Sequence, residues 1–321
     1  MWSAAHARFT RVTVACLLVV AAGCAPAFEA TRVEPLTPDE LASFWEDVDP
    51  QSRDLFYSAG GRELQPDPDA VYEVLERDTG GFSTTYDVRD PRGITWGVKV
   101  GDEAQSEVTA SRIVWGAGYR QPPTYYLPRW RARHDGREEV MGPGRFRPKL
   151  ETLDAEGTWS WRRNPFVGTQ PFRGLIVLMM MLNSTDLKDD NNGLFEVKQD
   201  GRVVGRWFVV KDLGATLGST GIFRPKRSDV DAFEKHPFID RVDDGRVRFH
   251  FRGRHRWLTR EITPADVRWI AERLARFTDE QWRAAFAAGG YTEDETRRFV
   301  ARLEQKIVEG RALRDAAAAA N

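Results

Sequence analysis

Two short polar segments hold the side chains of this chain that could do chemistry together. The first runs from Asp186 to Asn191 and reads Asp-Leu-Lys-Asp-Asp-Asn; the second, Asp212-Leu-Gly, begins twenty-one residues after Asn191. A helix-like apolar run precedes the first segment, and a strand-like run precedes the second. Carboxylate and amide oxygens bind hard divalent cations, and a carboxylate can also accept a hydroxyl proton. These residue types suit phosphoryl transfer, which depends mainly on positioning and charge neutralisation.

A strand-rich stretch upstream supplies a glycine turn and a lysine. The first of three β-favouring runs ends at a turn that contains Gly80, Gly81 and Ser83, and the third run ends near Lys99. Backbone N–H groups of such a turn can cradle phosphate, although an ordinary hairpin has the same composition. A lysine on the polar face of a strand can equally be a solvated residue.

The next segment is predicted to be a helix from Asp102 to Ala117, and it carries two candidate partners for Lys99. Glu103 and Glu107 lie one turn apart on the same face of this helix. An ion pair between a strand lysine and a helical glutamate would hold the ammonium group against nucleotide phosphates.

The order Lys99, Glu107, Asp186, Asn191, Asp212 resembles the active site of atypical protein kinases, in particular the phosphatidylinositol 4-kinase-like and HipA-like families. The helix sequence Glu-Val-Thr-Ala-Ser-Arg-Ile, followed by a Gly- and Pro-rich exit, is similar to their Glu-x-x-Ala-x-Arg-Leu helix. The resemblance covers residues 71 to about 220. It implies a two-lobed α+β fold with a β-rich small lobe and a mostly helical large lobe.

The resemblance also implies roles for the acidic and amide residues. Asp186 would orient the acceptor hydroxyl, and Lys188 would steady the transferring group. Asn191, or Asn192 as a substitute, would hold a metal ion together with Asp212. The families carry His or Tyr before the first Asp, whereas this chain has Ser and Thr, so the positioning of Asp186 is not explained by the motif.

For the nucleotide, the resemblance implies ATP or a similar nucleotide bound with Mg²⁺ or Mn²⁺. The binding residues would be Gly80, Gly81, Ser83, Lys99 and Glu107, with Glu107 preferred to Glu103. The predicted reaction is metal-dependent transfer of a phosphoryl group to a hydroxyl of a protein, lipid or sugar. A catalytically inactive pseudokinase or binding lipoprotein is the main alternative, because the turn has two glycines where three are usual. A structural lipoprotein without a ligand is a third possibility.

Other readings of the polar segments are weaker. A calcium loop would need acidic ligands at alternating positions and a closing Glu about twelve residues in, which the segment after Asp186 lacks. The five His residues are scattered without a Cys partner, which argues against a zinc site. A basic cluster could hold an anionic substrate or form a solvated face; it comprises Arg129, Arg131, Arg133, Arg145, Arg147 and Lys149.

The N-terminus is predicted to be a lipoprotein signal. Arg8 and Arg11 precede a short apolar run, and the run ends at Ala-Ala-Gly-Cys24, which resembles a lipobox except that Ala21 stands where Leu is usual. An ordinary signal peptide cut near Ala25 or Ala27 is the alternative. Because Ala25 rather than Asp follows Cys24, we expect an outer-membrane lipoprotein that faces the periplasm. Its only contact with the membrane would be the lipid anchor.

Composition predicts a globular domain without affinity for nucleic acid, because 47 basic residues face 48 acidic ones. Only two Cys are present, and one lies in the signal, so no disulfide is expected if Cys24 carries lipid. The predicted organisation is a signal peptide (1–23), a linker (24–36), an N-terminal helical extension (37–70), a small lobe (71–127), an Arg-rich hairpin insertion (128–164), a large lobe (165–313) and a frayed tail (314–321).

Overall fold

The computed structural model describes residues 28–32, 34–80, 83–221 and 225–314. The strands within these ranges are β1 (Glu29–Ala30), β2 (Val71–Asp78), β3 (Thr85–Arg89), β4 (Thr95–Val100), β5 (Tyr125–Leu127), β6 (Trp130–His134), β7 (Arg137–Met141), β8 (Gly144–Pro148), β9 (Leu153–Gly157), β10 (Arg163–Asn164), β11 (Asn192–Gln199), β12 (Arg202–Val210), β13 (Ile239–Asp243) and β14 (Arg246–Phe249). The helices are α1 (Pro38–Ala42), α2 (Glu103–Gly116), α3 (Gln170–Met181), α4 (Val230–Lys235), α5 (Pro264–Leu274), α6 (Asp279–Ala288) and α7 (Glu293–Arg311).

A seven-stranded sheet forms the β-rich lobe, in the order β5-β8-β4-β3-β2-β6-β7. On β4, Trp96 and Val98 are fully buried on one face, where they join an aromatic core that includes Trp130 and Phe146. Successive side chains of a strand point to opposite faces, so Lys99 lies on the other face, against α2.

Residues 128–164, predicted to be a separate Arg-rich insertion, contribute three strands to this same sheet. β6 and β7 form a hairpin beside β2, while β8 lies between β5 and β4 in the interior of the sheet. In this register Lys99 is paired with Arg145. The predicted boundary after residue 127 therefore does not separate two units, because β8 supplies hydrogen-bonding partners for the backbone of β4.

The second lobe is mostly helical and is organised around α3. The apolar run before Asp186, predicted to be helix-like, forms α3, and Phe172–Leu182 is buried at nearly every position. α5 and α7 pack together, and α5 also packs on α3. Thr263, Thr278 and Thr292 begin α5, α6 and α7 with reciprocal capping boxes, which fix where these helices start.

The N-terminal extension (37–70), predicted to be helical, contains only α1 and two 3-10 turns. Pro50 interrupts any longer helix because it cannot donate a backbone hydrogen bond. Its apolar residues Phe44, Trp45 and Leu55 are nevertheless buried in the larger core. Trp45 Nε1 donates to Ala117 O at 3.0 Å, which ties this segment to the end of α2.

The predicted α+β fold with two lobes is confirmed: a β-rich lobe carries Lys99, and a mostly helical lobe carries Asp186 and Asp212. No helix in the described ranges is long and apolar enough to cross a bilayer. The predicted signal peptide with Cys24 and the tail after residue 314 lie outside the described residues.

Candidate active site

Lys99 lies at the centre of a charge cluster between the two lobes. Its Nζ is 2.9 Å from Glu103 Oε2 and 3.2 Å from Glu107 Oε2, both on α2. It is also 3.2 Å from each carboxylate oxygen of Asp212. The lysine side chain is 10% exposed, so the surrounding protein screens these contacts less than water would. Both candidate glutamates therefore contact Lys99, and the cluster joins one lobe to the other.

Glu107 is the buried anchor of this cluster. Arg145 Nε lies 2.9 Å and Arg147 Nη2 lies 3.3 Å from Glu107 Oε1, while Lys99 takes the other oxygen. Arg147 also donates to Lys211 O at 2.8 Å. Burial, together with the charge of Arg145, lowers the pKa of Arg147 to about 10. The spacing of two residues along β8 presents both arginines to α2, and this spacing is a signal in the sequence from which a shared role could have been inferred.

The predicted basic cluster thus divides into two groups. Arg145 lines the cleft between the lobes and Arg147 lies beside it against Glu107, whereas Arg131, Arg133 and Lys149 make contacts elsewhere. Arg133 Nη2 donates to Glu138 at 2.6 Å, and Lys149 pairs with Asp87. The cluster is therefore not one anion-binding face.

Asp212 follows β12 and presents its carboxylate to the cleft, with 38% of the side chain exposed. Its Oδ1 accepts the Gly214 N–H at 3.2 Å. The main-chain N–H groups of Asp212 and Lys211 both donate to Asn191 O, at 3.1 and 2.9 Å. Burial acts to raise the pKa of Asp212, but the charge of Lys99 and the Gly214 N–H outweigh it and hold that pKa below its usual value. Asp212 is therefore ionised at neutral pH.

Asp186 follows α3 after a turn that is fixed by backbone hydrogen bonds. The Thr185 N–H donates to Ala215 O at 3.0 Å, which ties this turn to the segment after β12. Lys188 Nζ is 3.2 Å from Asp186 Oδ2, and Arg254 Nε is 3.2 Å from Oδ1. These contacts position Asp186 without the His or Tyr that the kinase families carry at this point.

The two candidate asparagines lie in different environments. Asn191 Nδ2 donates to Asp186 O at 2.5 Å. Asn192 begins β11, is fully buried and donates from Nδ2 to Trp159 O at 2.9 Å. Asn192, the possible substitute, therefore packs in the core.

Asn191 and Asp212 fit a divalent cation chemically. They supply an amide oxygen and a carboxylate, which are donors that Mg²⁺ and Mn²⁺ accept, and their main chains are hydrogen-bonded to each other. Across the described ranges, no group of three or more His, Cys, Asp and Glu side chains is placed to hold a metal ion. The fit therefore rests on a mixed amide and carboxylate pair.

Only part of the predicted phosphate turn can be placed, because Gly81 lies outside the described residues. The Gly80 N–H donates to Asp78 Oδ1 at 2.8 Å, just after β2. Ser83 Oγ donates to Glu103 Oε2 at 3.5 Å and lines the same cleft as Lys99.

These side chains surround a cleft of about 380 Å³ between the lobes. Arg227, which sequence reasoning did not select, lines it and pairs with Glu103. The mixture of cationic and acidic groups suits a polyanion bound together with a divalent cation. The lining residues are Ser83, Thr85, Lys99, Glu103, Arg145, Asp186, Lys188, Asp212, Ala215 and Arg227.

Comparisons with known proteins add one structural likeness. No protein-family model matches the chain, and no curated protein matches it by sequence. Among solved structures, it is similar to the crystal structure of a Helicobacter pylori proinflammatory kinase, CtkA, at 11% sequence identity and a TM-score of 0.46. The similarity covers 75% of this chain and 96% of the other. The interpretation of the cleft rests on the contacts described above.

Proposed function

We propose that the chain transfers a phosphoryl group from ATP or a similar nucleotide to a hydroxyl of a protein, lipid or sugar. One observation carries the proposal. In a single cleft, Lys99 contacts the carboxylates of α2 and Asp212, and Asp186 lines the same cleft. Phosphoryl transfer requires a cation for the phosphates, a metal-binding carboxylate and a carboxylate for the hydroxyl, and this cleft contains all three.

The proposed step needs no covalent intermediate with the protein. Asp186 accepts the proton of the acceptor hydroxyl while the hydroxyl oxygen forms a bond to the terminal phosphorus of the nucleotide. The bond between that phosphorus and the bridging oxygen breaks, and the nucleoside diphosphate leaves. Lys99 neutralises charge on the phosphates, and Lys188, 3.2 Å from Asp186, stabilises the transferring group.

Asp212 and Asn191 would hold the Mg²⁺ or Mn²⁺ ion, which would neutralise charge on the nucleotide phosphates when bound. Glu107 would not touch the nucleotide directly. It is 1% exposed, and its contacts with Lys99 and Arg145 fix two cations that line the cleft, while Arg147 supports it from the other side.

A second candidate function is a catalytically inactive pseudokinase that binds a ligand at the cell envelope. It is favoured by the two-glycine turn, the absence of His or Tyr before Asp186, and the predicted export of the chain to a compartment with little ATP. In that case the cleft would bind nucleotide without turning it over.

We also propose that Cys24 carries a lipid anchor and that the folded part of the chain is tethered to the outer membrane on its periplasmic side. The motif at Ala21–Cys24 supports this proposal. Two or more acyl chains hold a protein stably at a bilayer, since each buried CH₂ contributes about 0.8 kcal/mol.

Calorimetric titration of the full-length chain with ATP, in Mg²⁺ and then in Mn²⁺, tests the binding on which the function depends. We expect binding that Asp212→Asn weakens strongly. Asp154→Asn is the matched control, because Asp154 also pairs with a lysine, at 2.9 Å, but lies outside the cleft. Failure to bind any nucleotide with either metal would contradict the proposal.

A further inference from the structure

A second cavity, of about 400 Å³, lies beside the cleft and shares Asp186 and Arg227 with it. Asp186 is thus reached from both cavities. A carboxylate that takes a hydroxyl proton during phosphoryl transfer must contact the acceptor while the donor phosphate lies next to it. Two cavities that meet at Asp186 provide that arrangement. The remaining lining residues are Thr185, Gly221, Pro225, Arg252, Gly253 and Arg254.

The lining of this second cavity is mainly basic. Three arginines and a single carboxylate line it; because Arg227 is paired with Glu103 of the neighbouring cleft, Arg252 and Arg254 against Asp186 leave one positive charge in excess. Arg254 Nε contacts Asp186 Oδ1 at 3.2 Å, and Arg227 pairs with Glu103 of the neighbouring cleft. Within the described ranges, no ion pair joins Arg252 to a carboxylate. An anion that enters the cavity would therefore find guanidinium groups to bind.

The loop that carries these arginines is held in place by its own backbone. The Arg254 N–H donates to Thr185 O at 2.9 Å, and the Arg252 N–H donates to Thr220 Oγ1 at 3.4 Å. Gly253 approaches so closely that a Cβ at this position would lie 2.9 Å from Thr185 O. The loop is thus packed directly against the residue that precedes Asp186, which fixes the position of its arginines relative to the candidate base.

We propose that this cavity is the acceptor subsite and that it takes a hydroxyl compound bearing its own phosphate group. The proposal rests on the phosphoryl-transfer function above. Arg252 and Arg254 would bind the phosphate, since planar guanidinium groups match phosphate oxygens in pairs. The basic lining favours an anionic group, and the volume lies within the range of small-molecule pockets. A free phosphorylated polyol and a lipid headgroup offer the same chemistry.

Calorimetry of the full-length chain with sn-glycerol 3-phosphate, and with glycerol as the neutral match, tests the subsite. We expect the phosphate ester to bind and glycerol not to bind. Arg252→Ala combined with Arg254→Ala should weaken the phosphate ester about tenfold or more. Arg246→Ala combined with Arg248→Ala removes the same charge from β14, outside the cavity, and should leave the affinity within about twofold. Equal binding of glycerol, or no effect of the Arg252 and Arg254 changes, would overturn the proposal.

Vesicles separate the two sources of the acceptor. Binding to phosphatidylglycerol vesicles but not to phosphatidylcholine vesicles, with the same dependence on Arg252 and Arg254, would indicate a lipid headgroup. Binding of sn-glycerol 3-phosphate alone would indicate a soluble acceptor.

ATP titration of the same variants separates this proposal from the function on which it rests. We expect the Arg252 and Arg254 double variant to bind ATP like the unaltered chain, and Lys99→Met to lose ATP binding. If ATP binding follows Lys99 but the double variant binds sn-glycerol 3-phosphate normally, the subsite proposal alone fails. If the double variant loses sn-glycerol 3-phosphate while no variant binds ATP, the anion site stands and the proposed function fails.

Discussion

Glu107→Gln tests how much of the interlobe charge cluster depends on one buried carboxylate. Glu107 is 1% exposed and contacts Lys99, Arg145 and Arg147 at 2.9–3.3 Å. Gln keeps the shape but removes the negative charge, which leaves buried cations without their counter-ion. Breaking a buried ion pair in this way costs about 3–5 kcal/mol. At roughly 2 °C per kcal/mol for a chain of this size, Tm should fall by about 6–10 °C.

The assay is urea and thermal unfolding followed by circular dichroism, with Glu196→Gln as the control. Glu196 lies on β11, and its ion-pair contacts with Lys198 and Arg206 are long, at 3.8 and 3.7 Å. Its loss should cost less than about 1 kcal/mol, as expected for a surface pair. If Glu107→Gln destabilises the chain no more than Glu196→Gln does, Glu107 does not anchor the cluster.

Three further predictions follow from particular residues. Burial holds the pKa of Lys306 well below 10.5, so the unfolded chain binds more protons at this residue than the folded chain does. The unfolding free energy of the unaltered chain, relative to that of Lys306→Met, should therefore rise as the pH increases toward 10.5. A difference between the two that does not change with pH in urea titrations would contradict this prediction. Gly174→Ala would place a Cβ 2.3 Å from the Trp269 ring and should lower the unfolding free energy by about 1–3 kcal/mol. Gly205→Ala is the control, because no atom lies within 4 Å of a Cβ at that position, and it should cost much less. Equal effects of the two changes would refute the packing argument. Cys24→Ser should release the chain from membranes or leave it unprocessed on immunoblots of cell fractions, and a cleaved variant that stays in the membrane fraction would exclude the lipid anchor.

The parts of the site that sequence predicts best are those set by local rules. Lys99 faces α2 because alternation along β4 buries Trp96 and Val98 on the other side. Asp212 follows a strand that ends in a tight turn, and Asp186 follows an apolar helix, so both could be located from the pattern of a single segment.

The parts that sequence does not predict depend on pairing between distant segments. The place of β8 in the sheet brings Arg145 beside Lys99, although Arg145 lies forty-six positions after Lys99 in the chain. Arg227 reaches Glu103, and Arg254 reaches Asp186, through contacts that no local periodicity encodes. The turn before Asp186 is held by a backbone hydrogen bond from the Thr185 N–H to Ala215 O. A sequence motif, which records side chains, does not show such a bond.

Metal-dependent turnover of ATP is the measurement that tests the central claim most directly, with water as the acceptor and phosphate release as the signal. The account predicts slow release in Mg²⁺ or Mn²⁺ by the full-length chain. Asp186→Asn should lower release at least about a hundredfold, because its carboxylate takes the proton of the attacking water, and should keep ATP affinity within about threefold. Asp212→Asn should lose both binding and release. Release that persists unchanged in Asp186→Asn, or ATP binding without release in any metal, would contradict a catalytic site in this cleft.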